Sequence, residues 1–218
     1  APTAATAAAA PPSTALAALA APARGSLPAG DHHLELDHDG LRRGWTLVVP
    51  SGPRLARPLV VVLHGLGGRG DEMRSFGFDA LAATSGALVA YPDAVDGSWN
   101  DGRAGVDSLA HRRPVDDVGF LAALVEHAVA EAGADRARVL VVGFSNGAMM
   151  AGRLACERAS LVAAVGLVAG AGPADLNESC HPEAPVRVVV VFGSADTVVP
   201  PDGGVIAIWV YGYRGMRL

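Results

Sequence analysis

Three uninterrupted apolar runs, Leu59-Val60-Val61-Val62-Leu63, Val139-Leu140-Val141-Val142 and Val188-Val189-Val190-Val191-Phe192, constrain this chain more than any other feature. A strand with one wet face alternates apolar and polar residues, whereas an unbroken run such as the first suits a central strand covered on both faces; the second reads as another buried strand and the third as a strand. Between the runs lie Ala-rich stretches with helical spacing. In one of them Val118, Leu121, Leu124, Val125 and Val129 share a face, Asp116 or Asp117 is the candidate N-cap, and Gly133 the stop. This alternation, continuing from about Gly30, predicts an α/β fold with a mostly parallel central sheet and helices on both faces. Residues 33–36 and 44–49, joined by His38-Asp39-Gly40, are expected as an antiparallel edge hairpin. Residues 87–91 and 163–168 read as further strands, and residues 94–114 as a long polar loop.

With 218 residues, half of them hydrophobic, the chain has enough apolar surface for one sizeable core. A net charge of -5 without Lys/Arg runs leaves no footprint for nucleic acid or an anionic membrane. No apolar run reaches the roughly 18 residues that a membrane span needs. Residues 1–28 form an Ala/Pro-rich tract that reads as a linker or the remnant of a signal peptide, residues 29–204 as the folded domain, and residues 205–218 as a divergent tail. The two cysteines, Cys156 and Cys180, are either one disulfide or two buried thiols; the disulfide and the tract together point to export.

Gly143-Phe144-Ser145-Asn146-Gly147 follows the second apolar run and opens a helix-forming stretch, the setting of a nucleophile elbow. In that turn small flanking residues let the chain reverse tightly and present the serine hydroxyl above the sheet, which makes Ser145 the candidate nucleophile. Attack on a carbonyl creates an oxyanion that needs preorganised donors. The backbone N–H of Asn146, at a helix N-terminus, is one candidate, and that of Leu66, after His64-Gly65, is the other. The same glycine-rich loop has a plain turn reading, and Gly65-x-Gly67-x-x-Gly70 with Asp93 also fits, weakly, a dinucleotide fingerprint. Asp196, just beyond the third run, is the candidate triad acid, with Asp175 in reserve.

Taken together, His64-Gly65-Leu66, Ser98-Trp99-Asn100-Asp101-Gly102, Asp116-Asp117-Val118, the elbow with Ala148-Met149-Met150, and Gly193-Ser194-Ala195-Asp196-Thr197-Val198-Val199-Pro200 resemble the secreted polyhydroxybutyrate depolymerase and feruloyl esterase family of α/β-hydrolases. The resemblance covers roughly residues 27–204. It implies hydrolysis of carboxylic esters, from hydroxyalkanoate polymers to acetyl and feruloyl groups on polysaccharides, with no cofactor and no metal. It also implies a disulfide between Cys156 and Cys180 and a monomer whose partner is the ester substrate. His64, Trp99 and Asn100 are expected at the substrate cleft, with Trp99 offering a flat apolar face.

The sequence departs from the family after Gly204, where a further helix, strand and a histidine-bearing turn are expected; the tail contains no histidine, which reads as a truncation or frameshift. The other histidines fit the role of base poorly. His32, His33 and His38 fall on the hairpin and His127 mid-helix, while His64 shapes the oxyanion loop. His111, on the long loop, and His181, beside Cys180, are the remaining candidates.

Overall fold

The computed structural model describes residues 25, 27–52, 56–103, 106–172, 179–203, 205–206 and 216–217. The Ala/Pro-rich tract up to residue 24, Asp175 and most of the tail after Gly204 lie outside the described residues.

The first strands, β1 (Gly30–His38) and β2 (Leu41–Val49), form the expected hairpin. Asp39 and Gly40 both take positive φ, 48° and 72°, which suits a two-residue turn joining right-twisted strands. Strand β3 (Arg57–Leu63) sends Leu59, Val61 and Leu63 into one core cluster and Val60 and Val62 into another, so its unbroken apolar run is covered on both faces. After β3 the chain makes a 3-10 segment, Gly70–Phe76, and helix α1 (Phe78–Ser85), bracketed by Gly77 and Gly86 in left-handed conformation. The sequence reading assigned no helix here: eight residues between two glycines give too short a period to recognise. Strand β4 (Leu88–Pro92) follows, parallel to β3 and antiparallel to β2.

Residues 94–114 are expected as a long polar loop. The structure adds a short helix to it, α2 (Leu109–Arg112), with Ser108 as N-cap, and buries Ser98, Trp99, Asp101, Arg103 and Ser108. Asp101 pairs with Arg103, and Ser108 with His111, which offsets the cost of burying them, while the buried Ser98 hydroxyl has no partner among the described residues. Helix α3 (Asp117–Ala132), capped by Asp116 and stopped by Gly133, leads into β5 (Ala134–Phe144). Then come α4 (Asn146–Glu157), β6 (Ala164–Val168) and β7 (Arg187–Val191).

The sheet order is β1-β2-β4-β3-β5-β6-β7, with β4, β3, β5, β6 and β7 parallel. Beneath it α3 and α4 pack with Trp99 into the larger cluster; Met73 and Ala82 cover β3 and β4 from the other side. That second layer stops short of β7, an edge strand whose four valines are each at least half exposed. Two residue pairs of the tail, β8 (Val205–Ile206) and β9 (Met216–Arg217), form a small separate ribbon. The cysteines are joined as a Cys156–Cys180 disulfide with Cα atoms 5.4 Å apart.

Candidate active site

Parallel strands end at one rim of the sheet, and Ser145 stands there, directly after β5. Its backbone takes φ 54° and ψ -117°, a conformation that costs an L-residue on the order of 1–3 kcal/mol and persists only when the surroundings enforce it. The enforcement is visible. A Cβ on Gly143 would stand 2.1 Å from the Gly147 carbonyl oxygen, and a Cβ on Gly147 would stand 2.5 Å from the carbonyl oxygens of Leu63 and His64. Both glycines of the pentapeptide are therefore required by backbone that passes where a side chain would be. The Ser145 N–H donates to the Val168 carbonyl at 2.9 Å, tying the elbow to the end of β6.

The loop after β3 lies against this elbow: a Cβ on Gly65 would be 3.1 Å from the Phe144 ring and 3.5 Å from Ser145 Cβ. His64 anchors the loop from below. Its Nδ1 lies 2.7 Å from the Gly65 carbonyl oxygen, and its Nε2 accepts the Ala94 N–H at 3.1 Å, an assignment that fixes the neutral tautomer with the proton on Nδ1. Burial holds its pKa below the ordinary 6.5. The imidazole is thus fully used inside the protein. Among the described residues no partner is found for the backbone N–H of Leu66 or of Asn146, and the latter sits at the first position of α4, where helix amides lack an internal acceptor.

Of the three side chains expected at the substrate cleft, His64 and Trp99 are buried and Asn100 is half-buried. Trp99 has no exposed surface; its indole N–H donates to the His64 carbonyl at 3.0 Å and its ring centroid is 5.1 Å from the imidazole. Asn100 is pinned at both ends, its Nδ2 donating to the Val115 carbonyl and its N–H to Asp117. His64 is nearly as buried as Trp99. Indole amphipathicity suited either a cleft or a core, and burial decides for the core. His64 and Trp99 thus support the rim from below. The exposed apolar groups beside the serine are Phe144 and Phe76, 6.1 Å apart, over a cavity of about 180 Å³ that Val142 and Val168 also line. Their part was not read from the sequence, since the variable position of a Gly-x-Ser-x-Gly motif gives no sign of where its side chain points.

Asp196 follows β7 at the same rim as Ser145. One of its carboxylate oxygens accepts the N–H groups of Val198 and Val199 at 2.8 and 2.9 Å, and Val199 packs with Met149 of α4. No imidazole bonds to Asp196 or Ser145 among the described residues. His111 is committed elsewhere, with Nδ1 2.7 Å from Ser108 Oγ and Nε2 3.3 Å from Asp101 Oδ1. His127 stacks edge-on against Trp45, and His38 pairs with Asp116. The dinucleotide alternative fails on geometry: the Asp93 carboxylate is occupied by the Gly70 N–H at 2.8 Å, and the glycine-rich loop enters a 3-10 turn rather than an α-helix.

A family model described as esterase PHB depolymerase matches residues 43–181, a span that includes both the elbow and the loop after β3. The chain belongs to this esterase family. A protein named esterase NocK, from Nocardia uniformis subsp. tsuyamanensis, is 38% identical over 71% of the chain and 45% of its own length. Feruloyl esterase C of Emericella nidulans is 30% identical over 75% of the chain and 58% of its own length. The chain thus spans about half the length of these curated relatives. Among solved structures, an acetyl xylan esterase from Aspergillus awamori superposes with a TM-score of 0.59 at 19% identity, over 79% of the chain and 75% of that structure. A thermostable esterase gives 0.62 at 20% identity, over 79% and 48%. These likenesses establish the α/β-hydrolase fold.

Within this esterase fold the segment around Asp101 is the part that sequence reasoning missed. Asp101 is wholly buried and accepts hydrogen bonds from Arg103, His111 and the Asn146 side chain. Burial alone would push its carboxyl up, but the His111 hydrogen bond and the Arg103 charge outweigh that and hold it below the ordinary carboxylate value. Nearby, Arg43 and Asp117 form a buried pair at 2.7 Å, where desolvation still raises the Asp117 carboxyl.

Proposed function

We propose that this chain is the nucleophile-bearing part of a carboxylic ester hydrolase, acting on polyhydroxyalkanoate-type, acetyl or feruloyl esters. The observation that carries the reading is Ser145 held at positive φ by glycines that no other residue can replace. Such strain persists in a fold for a use, and here it lifts a hydroxyl onto the rim where, among the described residues, the Asn146 and Leu66 backbone N–H groups have no partner. Ser145 Oγ adds to the ester carbonyl carbon, the alcohol leaves, and water releases the acid from the acyl-enzyme. The Leu66 and Asn146 N–H groups receive the oxyanion, and Asp196, one of whose oxygens has no partner among the described residues, orients the histidine that such chemistry needs. The exposed Phe144 and Phe76 supply an apolar resting place for the acyl group. The disulfide and the Ala/Pro-rich tract support an exported protein, and among the described residues no helix is long and apolar enough to cross a membrane.

A second reading, a hydrolase fold that binds without turning over, is favoured by one observation: no imidazole reaches Ser145 among the described residues. The two separate by labelling with a fluorophosphonate probe, located by mass spectrometry, beside a Ser145→Ala control. Modification confined to Ser145 is the expected outcome. A folded protein that takes up no label would overturn the esterase reading in favour of binding.

A further inference from the structure

The residue after the nucleophile is clamped from an unusual direction. Asn146 belongs to α4, yet its side chain reaches across to the segment between β4 and α2 and behaves there like a strand partner. Its Oδ1 accepts the Trp99 N–H at 2.9 Å, and its Nδ2 donates to the Trp99 carbonyl at 3.1 Å and to Asp101 Oδ2 at 2.6 Å. The last is the shortest of the three and the only one to a charged acceptor, so it outweighs the neutral pair. Asp101 is itself immobilised. Arg103 grips both its oxygens, with Nε 2.9 Å from each and a further donor at 2.6 Å, and His111 approaches Oδ1. Arg153, two turns along α4, donates to the Asn100 carbonyl at 2.8 Å, so the segment and the helix are latched at two points.

A buried carboxylate is costly unless it is paired, and one guanidinium would suffice for pairing. The extra bond to Asn146 therefore asks for a reason beyond charge balance. We propose that Asp101 is a positioning residue: through the Asn146 side chain it fixes where the Asn146 backbone N–H stands beside Ser145. This rests on the esterase reading only for its consequence in rate; the coupling itself is a property of the fold. Losing an oxyanion donor costs a hydrolase on the order of 100-fold or more, and a donor left in place but loosened costs part of that.

The test is a double-mutant cycle on the full chain with D101N, N146A and the pair, the folded state of each checked by urea unfolding. N146A keeps the backbone amide and leaves Asp101 with Arg103 and His111, so it stands in should D101N fold poorly. Hydrolysis of p-nitrophenyl acetate should show kcat lower by about tenfold or more in either single variant with KM within about twofold, and the double variant no worse than the larger single loss. Unchanged kcat in N146A, or losses that multiply, would overturn the proposal. The chain has three asparagines, so selective 15N-asparagine labelling gives a second readout that needs no turnover. If wild type is inert towards the ester and the fluorophosphonate alike, the esterase reading fails while this readout still decides the coupling. The Asn146 backbone amide and Nδ2 resonances should move in D101N; resonances that stay at their wild-type positions would overturn it.

Discussion

At the scale of single residues, the rim is built by groups that are inexpensive to read from sequence and by others that are not. Ser145 was legible because two glycines and a strand-to-helix transition are a local signature. Asp101 was not, because the meaning of its charge depends on Arg103, His111 and Asn146 arriving from two segments. His64 lies between the two cases: its place in the loop was readable, its protonation state was not. Since Nε2 accepts a backbone N–H, a second proton there would break the Ala94 bond. Its folded pKa is depressed below 6.5, so the unfolded chain takes up the proton first. The contribution of His64 to stability is accordingly full above that value and is lost as pH falls below it towards the folded pKa. Thermal unfolding from pH 8 to pH 5 should show the wild-type midpoint approaching that of a His64→Asn variant as the solution is acidified. A gap that stays constant across the range would contradict this account.

At the scale of elements, the unbroken apolar runs became strands and the capped Ala-rich stretch became α3, because β-branched runs and helix caps leave marks within a few neighbouring residues; the runs did not tell β3, covered on both faces, from the exposed edge strand β7. What failed to show was α1, too short for its period, and the interior character of residues 94–114. The Cys156–Cys180 bridge joins the end of α4 to the approach to β7 and closes a loop with a sequence separation of 24. A closure of that size removes about 3 kcal/mol of freedom from the unfolded chain in the loop-entropy account. Urea unfolding with and without dithiothreitol should therefore show a reduced form less stable by roughly that amount, with the loss absent in a Cys156→Ala, Cys180→Ala chain. A reduced protein as stable as the oxidised one would mean that packing of α4 on β5 and β6 already holds that corner.

At the scale of the molecule, the sheet is finished at one edge and bare at the other. The hairpin of β1 and β2 closes the first edge with charged residues such as Arg42 and Glu35, paired at 2.7 Å on its surface. Among the described residues β7 is the last strand of the sheet, and it presents Val188, Val189, Val190 and Val191 to solvent with no strand paired to its outer side, which is a template for strand addition. Light scattering across a dilution series should reveal self-association that rises with concentration, and Val190→Lys should suppress it without lowering the unfolding midpoint. A monodisperse wild type at high concentration would refute this. The opposite pole has a different use. Gly25 and Leu27 hydrogen-bond to Ala130 and Glu131 at the far end of α3, and β5, 11 residues long, runs from that pole to Phe144 at the serine rim, a span of about 30 Å. A bead or a carrier protein attached at Leu27 would therefore hold the molecule by its base and leave Ser145 facing outward, which makes that pole the natural handle for immobilisation.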